Sequence, residues 1–350
     1  MARYVEWLVS ARSGRGIVLF EPCRLRLGVR HGMSGPDGTV KVLYVAGSGR
    51  SGSTILDRIL GQLDGFFSAG ELCNLWERGV LAGRRCGCGT PVPDCPVWRP
   101  VLVDTLGGTD QLDAVGLAAV ARRWLRPWSV PGLLLGRDPA AGDAYQAALA
   151  RLYLAVKRRS GCRVIVDSSK SPVYARLLAA IPGVEVAVVH LVRDPRATAW
   201  SFLRAKRLPD FGDDRLMLRQ HPLVSARRWS LWQAATELLW RRRGGRYLRV
   251  AYEDFMRDPR AAVREVAALV GEEPAGWPFT GPASVRLGVT HSVSGNPNRF
   301  GTGEVRLRAD EEWRGAMRPA DRAMVTALTW PLLLRYHYPL RPRLEDRVSL

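Results

Sequence analysis

Between Val40 and Leu63 the chain reads as a strand, a glycine-rich loop and a helix in immediate succession. Val40-Lys41-Val42-Leu43-Tyr44-Val45-Ala46 is short, apolar and β-rich; Gly47 to Thr54 (GSGRSGST) follows at once, and Ile55, Leu56, Ile59, Leu60 and Leu63 then recur at helical spacing. A loop that delivers a strand into a helix N-terminus gathers backbone N–H groups into an anion nest. Gly47 and Gly52 keep the spacing of GxxxxGK[ST], and Thr54 stands in the hydroxyl position. Ser53, however, occupies the place of the lysine that reaches a γ-phosphate, and the nearest cation is Arg50, inside the loop. The alternative is a Gly/Ser turn without a ligand. The donors at one place count against it: the N–H groups from Gly49 to Thr54, the hydroxyls of Ser51, Ser53 and Thr54, and the Arg50 fork.

Three further strand patterns follow. Arg163-Val164-Ile165-Val166-Asp167 leads into Ser168-Ser169-Lys170-Ser171-Pro172, with Ser171 as helix cap and Pro172 in the first turn. Val184 to Val192 ends in Arg193-Asp194-Pro195 and passes into a helix through Ser201 to Leu203. Tyr247 to Val250 precedes Tyr252-Glu253-Asp254 and a helical stretch from Ala261 to Val270. Strands alternating with helices predict an α/β fold, a P-loop-like central parallel sheet flanked by helices on both faces. In such sheets ligands sit beyond the carboxyl ends of the strands, where the polar clusters 47–54, 167–170 and 193–201 all fall. Residues 99–160 read as an Ala-rich helical insertion over the site, and 1–39 as an N-terminal extension ending in the turn cluster Gly32 to Gly38. Trp229, Trp232 and Trp240 fall at helical spacing and read as core.

A net charge of +19 points to anionic partners: nucleic acid, an anionic membrane surface in peripheral contact, or phosphorylated and sulfated ligands. An arginine-rich coding bias explains the same total. The arginines are spread rather than gathered in a patch or tail, which disfavours nucleic acid. No apolar run reaches the roughly 20 residues of a transmembrane helix, and no leader pattern forms, so the expectation is a soluble cytoplasmic protein. Cys86, Cys88 and Cys95 crowd the segment CGCGTPVPDCP. With Cys73 they make a candidate four-thiolate site, but C-x-C followed by one cysteine is not a standard zinc spacing. A disulfide or a reduced, tightly turned loop fits better, and no metal is expected.

An ATP- or GTP-dependent phosphotransferase needs the loop lysine and a strand-end aspartate for magnesium. Asp167 keeps that reading open; the missing lysine weakens it. The clusters instead resemble those of the sulfotransferases that use 3′-phosphoadenosine 5′-phosphosulfate (PAPS), and look most similar to the bacterial branch related to tyrosylprotein sulfotransferases, over roughly 40–340. Gly49-Arg50-Ser51-Gly52-Ser53-Thr54 resembles their 5′-phosphosulfate loop, and His190 to Arg196 with Ala199-Trp200-Ser201 their 3′-phosphate motif, with Arg193 and Ser201 at the family spacing. Gly70-Glu71-Leu72 resembles the base-bearing motif, Asp167 to Pro172 the central lysine motif, and Tyr252-Glu253-Asp254 the late strand signature. His291 to Arg299 resembles the loop that closes over the cofactor, and Cys86-Gly87-Cys88-Gly89 also recurs among bacterial members.

The resemblance implies sulfuryl transfer from PAPS to an acceptor hydroxyl, releasing 3′-phosphoadenosine 5′-phosphate (PAP), with no metal required; the motifs do not specify the acceptor, and the expected classes are a small molecule such as a secondary metabolite, a lipid, a glycan or a tyrosyl peptide. Glu71 is the implied general base, with His291 as the better of two histidine alternatives, since His190 sits in an apolar strand and reads as core. Arg50 and Lys170 suit the developing charge, Ser292 or Ser294 the transferring sulfuryl group or its leaving oxygen, and Arg299 the 3′-phosphate.

Overall fold

The computed structural model describes residues 39–341, apart from 108–110, 127–128, 136–142, 212–214, 242–245 and 274. The segment read as an N-terminal extension therefore lies, except for Thr39, outside the described residues.

Strands β1 (Val40–Gly47), β2 (Phe66–Gly70), β3 (Val164–Lys170), β4 (Val184–Val192) and β5 (Tyr247–Ala251) form one sheet in the order β2-β3-β1-β4-β5. Every neighbouring pair is parallel. The period-2 pleat of β1 explains its uninterrupted apolar run. Val42, Tyr44 and Ala46 enter one core with Trp98, Leu149 and Tyr174, while Leu43 and Val45 enter another with Leu56, Ile59 and Val263. Burying each such side chain stabilises by about 1.5–3 kcal/mol, which makes β1 the spine of the sheet. The expected α/β fold with helices on both faces is the fold observed.

The chain visits β2 and β3 on one side of β1, then β4 and β5 on the other, so the reversal lies at the carboxyl end of β1. The helix Ser53–Leu60 follows β1, Pro172–Ala179 follows β3, Pro195–Leu203 follows β4, and Tyr252–Arg257 follows β5. Ser171 caps the second of these, its hydroxyl accepting from Tyr174 N at 3.4 Å. The described part of 98–160, between β2 and β3, is helical: Trp98–Leu106, Gln111–Trp124, Ser129–Leu134 and Asp143–Ser160. Trp229, Trp232 and Trp240 are buried, as a core stripe should be.

Two elements carried no clear sequence signal. β2 has five residues, Phe-Phe-Ser-Ala-Gly, too few for periodicity to register. The antiparallel pair β6 (Ser284–Leu287) and β7 (Gly303–Arg306) is shorter still. Among the described residues no helix is long and apolar enough to cross a membrane.

Candidate active site

The carboxyl ends of β1, β2, β3 and β4 open onto a cavity of about 650 Å³. Gly49, Arg50, Gly52, Ser53 and Thr54 line one side of it, Glu71 and Lys170 a second, Arg193 and Ser201 a third. Segments up to 261 positions apart in sequence (49 against 310) thus share one wall system.

The loop is held open by its backbone. Gly52, the residue before the helix Ser53–Leu60, has φ 90°, and a Cβ there would meet the Tyr252 ring at 2.6 Å. Only glycine fits both requirements. Ser51 is fully buried and donates to Ser48 O at 2.9 Å. Its hydroxyl therefore braces the loop, whereas Ser53 and Thr54 line the cavity, the Thr54 hydroxyl also accepting from Asn296 N at 3.3 Å. Arg50 has φ 68°, stacks its guanidinium 5.1 Å from the Phe202 ring centroid and reaches the sulfur of Met217 at 3.3 Å.

Arg193 is buried at the end of β4. It donates to Arg50 O and to Asp310 O, each at 3.0 Å, and lies 4.4 Å from the centroid of the Tyr252 ring. Its own carbonyl accepts from Trp229 Nε1 at 2.9 Å. The Arg193 Nε is buried with no protein partner. The neighbouring Asp194 and Arg196 have a different task. Asp194 caps the helix Pro195–Leu203 and grips Arg196 through two contacts of 2.9 and 2.7 Å, while Arg196 donates to the carbonyls of Pro339 and Leu340. That buried pair pins residues 339–340 beside the motif.

Glu71 follows β2 directly. Its N–H donates to Val293 O at 2.7 Å, and Val293 N donates to Ala69 O at 2.9 Å, so the 293 segment extends the sheet edge. Gly70 permits this: φ is 78°, and a Cβ would meet Val293 N and O at 2.6 and 2.5 Å. Gly70→Ala is expected to cost about 2–3 kcal/mol through a backbone clash neither strand can relieve cheaply, with Glu71 displaced. Chemical denaturation checks this, and a variant as stable as the parent would contradict the account.

Glu71 Oε1 pairs with Lys170 Nζ at 2.5 Å, and Oε2 accepts from Asn74 Nδ2 at 2.7 Å. Burial pushes the Glu71 carboxyl up, but the charges of Lys170, then Arg78 and Arg299, together with the Lys170 hydrogen bond, carry it below the ordinary glutamate value. Those cations outweigh the burial, and Glu71 is a carboxylate. Lys170 has φ 69° and Ser294 φ 59°; with Arg50 they are three of the four non-glycine residues with positive φ among the described residues. Each costs about 1–3 kcal/mol, and their clustering at element ends around one cavity marks a place where geometry outranks stability.

Besides that of Ser51, four expectations differ from the placement found. Asp167 is completely buried in β3, held by Tyr153 OH and by Ser169 N and Oγ at 2.8 and 2.5 Å, and does not line the cavity. Burial, only partly offset by those hydrogen bonds, raises its carboxyl to about 6. Ser292 is buried, its hydroxyl 3.3 Å from that of Thr290, also away from the cavity. Arg299 is fully buried and bonds Asp210 Oδ1 at 2.7 Å and Arg85 O at 2.8 Å, pinning its own loop rather than lining the cavity. His291 Nδ1 sits 3.3 Å from Cys95 Sγ, outside the cavity lining. His190 is core, as read: fully buried, bonded to Tyr247 OH at 2.7 Å and Gln233 Oε1 at 2.5 Å, and lowered to about 4 by burial.

Sequence reasoning missed most of the cavity's charge. Its lining carries nine arginine and lysine side chains against three acidic ones, Glu71, Glu77 and Asp310. Arg78 comes from the π-helical turn Leu75–Leu81 and Arg228 from the helix Pro222–Trp240; no motif marks either. Such an excess in a walled cleft focuses a positive field there.

A class of anion-handling α/β enzyme is defined by these features, and comparison with known proteins specifies it. Residues 43–276 match the model of the Sulfotransferase family. The chain belongs to the sulfotransferase family and is a sulfotransferase. No curated protein matches it. Among solved structures, the sulfotransferase domain of the Synechococcus PCC 7002 olefin synthase is 21% identical over 87% of this chain and 96% of that one, with TM-score 0.49. The sulfotransferase domain from the curacin biosynthetic pathway is 15% identical over 87% and 99%, with TM-score 0.48. Sulfotransferase STF9 from Mycobacterium avium is 16% identical over 67% and 64%, with TM-score 0.40.

Proposed function

We propose that the enzyme takes its sulfuryl group from PAPS and delivers it to an acceptor hydroxyl of a small molecule, lipid or glycan. The observation that carries this reading is the shared cavity of the phosphate loop, the Arg193–Ser201 pair and the Glu71–Lys170 pair. Its volume suits a nucleotide, its cations suit a ligand with two anionic ends, and the orphaned Arg193 Nε is a buried donor awaiting an acceptor. When bound, the donor supplies the transferable sulfuryl group and a bisphosphate leaving group.

Each residue then has a task. Backbone N–H groups from Gly49 to Thr54, with the hydroxyls of Ser53 and Thr54, bind the 5′ end; Arg193 and Ser201 hold the 3′-phosphate. Ser51 supports the loop from behind. Glu71 takes the acceptor hydroxyl's proton as the new oxygen–sulfur bond forms, and Lys170 and Arg50 stabilise the charge left on the departing phosphate oxygen. The pairing with Lys170 keeps the Glu71 base ionised before substrates arrive. Residues 40–340 make up the catalytic domain in this reading, and 99–160 an insertion whose helix Gln111–Trp124 brings Arg122 and Leu125 to the acceptor side.

The phosphotransferase reading is weaker, because Ser53 replaces the lysine and Asp167 does not face the cavity. Titration calorimetry separates the two. Adenosine 3′,5′-bisphosphate without magnesium is expected to bind at least about tenfold tighter than ATP with magnesium. Equal or tighter binding of ATP would sink the PAPS assignment.

A further inference from the structure

Cys86, Cys88, Cys95 and His291 bring four potential ligand atoms within 4.8 Å of one another, outside the cavity. The sequence suggested a disulfide or a turned loop, with Cys73 as the nearest fourth cysteine. The fold decides otherwise. All five described cysteines are free, and Cys73 points elsewhere, its N–H bonded to Ser169 Oγ at 3.0 Å. Cys95 Sγ lies 3.6 Å from Cys86 Sγ and 3.7 Å from Cys88 Sγ. His291 Nδ1 lies 3.3 Å from Cys95 Sγ and 3.8 Å from Cys86 Sγ.

These spacings have a geometric meaning. A disulfide requires about 2.0 Å between sulfurs. A tetrahedron with Zn–S of about 2.3 Å and Zn–N of about 2.0 Å has edges of about 3.5–3.8 Å. The four measured separations lie close to those edges. We propose that Cys86, Cys88, Cys95 and His291 hold one structural zinc ion. Three soft thiolates and an imidazole favour zinc over magnesium or calcium, and four protein ligands leave no open position for catalysis. Binding displaces the thiol protons to solvent, with no change of oxidation state.

The surroundings suit a ligand cage. The 86–90 turn is closed by Cys86 N donating to Thr90 O at 2.7 Å and Gly89 N to Cys86 O at 2.8 Å. Trp98 Nε1 donates to His291 O at 2.5 Å, and Gly87 N to Ser292 O at 3.0 Å, so the backbone on both sides of the cluster is already clamped. The ion joins Cys86 to a histidine 205 residues away, a long closure whose entropy a metal link offsets. Its position gives it a role. His291 lies two residues from Val293, whose carbonyl accepts from Glu71 N, and Gly295 beyond it lies near Thr54 and Glu71. The zinc holds the covering segment against the edge carrying Glu71 without touching the cavity.

The test reads metal, not turnover, so its result stands apart from the PAPS assignment. The full chain purified under reducing conditions without chelator is expected to carry one zinc per chain by plasma mass spectrometry. Cys95→Ser and His291→Ala should lose it, and Cys162→Ser should keep it. Should the first two variants fail to fold, the wild-type protein stripped by chelator and titrated with cobalt(II) should develop tetrahedral thiolate bands that saturate at one equivalent and vanish on adding zinc. Metal-free wild-type protein that gives no such bands overturns the proposal, and so does a disulfide among Cys86, Cys88 and Cys95 in the freshly isolated chain.

Discussion

Glu71→Gln is expected to lower kcat about 10²–10⁴-fold while leaving bisphosphate affinity within about twofold. Glutamine keeps the volume and the hydrogen bond to Asn74 but cannot accept a proton from an alcohol. It also leaves Lys170 without its 2.5 Å counter-charge, which does not weaken an anion site. The pH profile sharpens the test. Despite its burial, the charges of Lys170 and Arg78 hold Glu71 below its ordinary 4.5, so the base stays ionised as pH falls from neutrality. The profile of kcat/KM should therefore stay flat on its acid side until below that value. A histidine base would instead give an acid limb near about 6.5. The same depressed carboxyl contributes stability that is present above the unfolded glutamate value and lost as pH falls through the folded one. Unchanged turnover in the variant, or an acid limb in the histidine range, removes Glu71 from the chemistry.

Arg193→Ala is expected to weaken adenosine 3′,5′-bisphosphate about 10²-fold, roughly 3 kcal/mol, while kcat at saturating donor changes far less. The magnitude follows from burial. Arg193 is 5% exposed and screened by protein, so a charge-assisted contact there is not diluted by water as a surface pair would be. The guanidinium also donates to Arg50 O at 3.0 Å, so part of the loss would come through a loosened loop. Arg193→Lys separates the contributions: it restores a charge but neither the planar fork nor the stacking on Tyr252, and should recover only part of the affinity. Calorimetry on both variants is the measurement, and bisphosphate affinity untouched by the alanine would end the 3′-phosphate assignment.

The difference between the residues whose place in the fold was legible in the sequence and those whose place was not is physical. The loop Gly49 to Thr54 was readable because an anion nest is made by consecutive backbone groups, and the strand and helix on either side announce themselves in periods of two and about 3.6. Arg193 and Ser201 were readable because a strand end and the next two helical turns fix their separation locally. The parallel sheet followed from alternation alone, and with it the convergence of strand ends on one crevice.

What failed was the placement of side chains whose partners only the folded chain reveals. Arg299 and Ser292 sit in a polar loop that suggests ligand contact, but Asp210 claims the first and the Thr290 neighbourhood the second. Asp167 reads as a strand-end metal ligand until Tyr153 and Ser169 are seen to enclose it. His291 joins the cysteines across 196 residues from Cys95, a pairing no spacing rule contains. The amino-acid order by itself determined the glycine-rich loop, the sheet and the order of the motifs, because these are local or periodic. Only the tertiary structure decided which cations face the cavity, which polar groups are consumed in holding loops together, and what completes the cysteine cluster. Those outcomes are contacts between segments brought together by burial of the core, and burial leaves no mark on the spacing of the residues it unites.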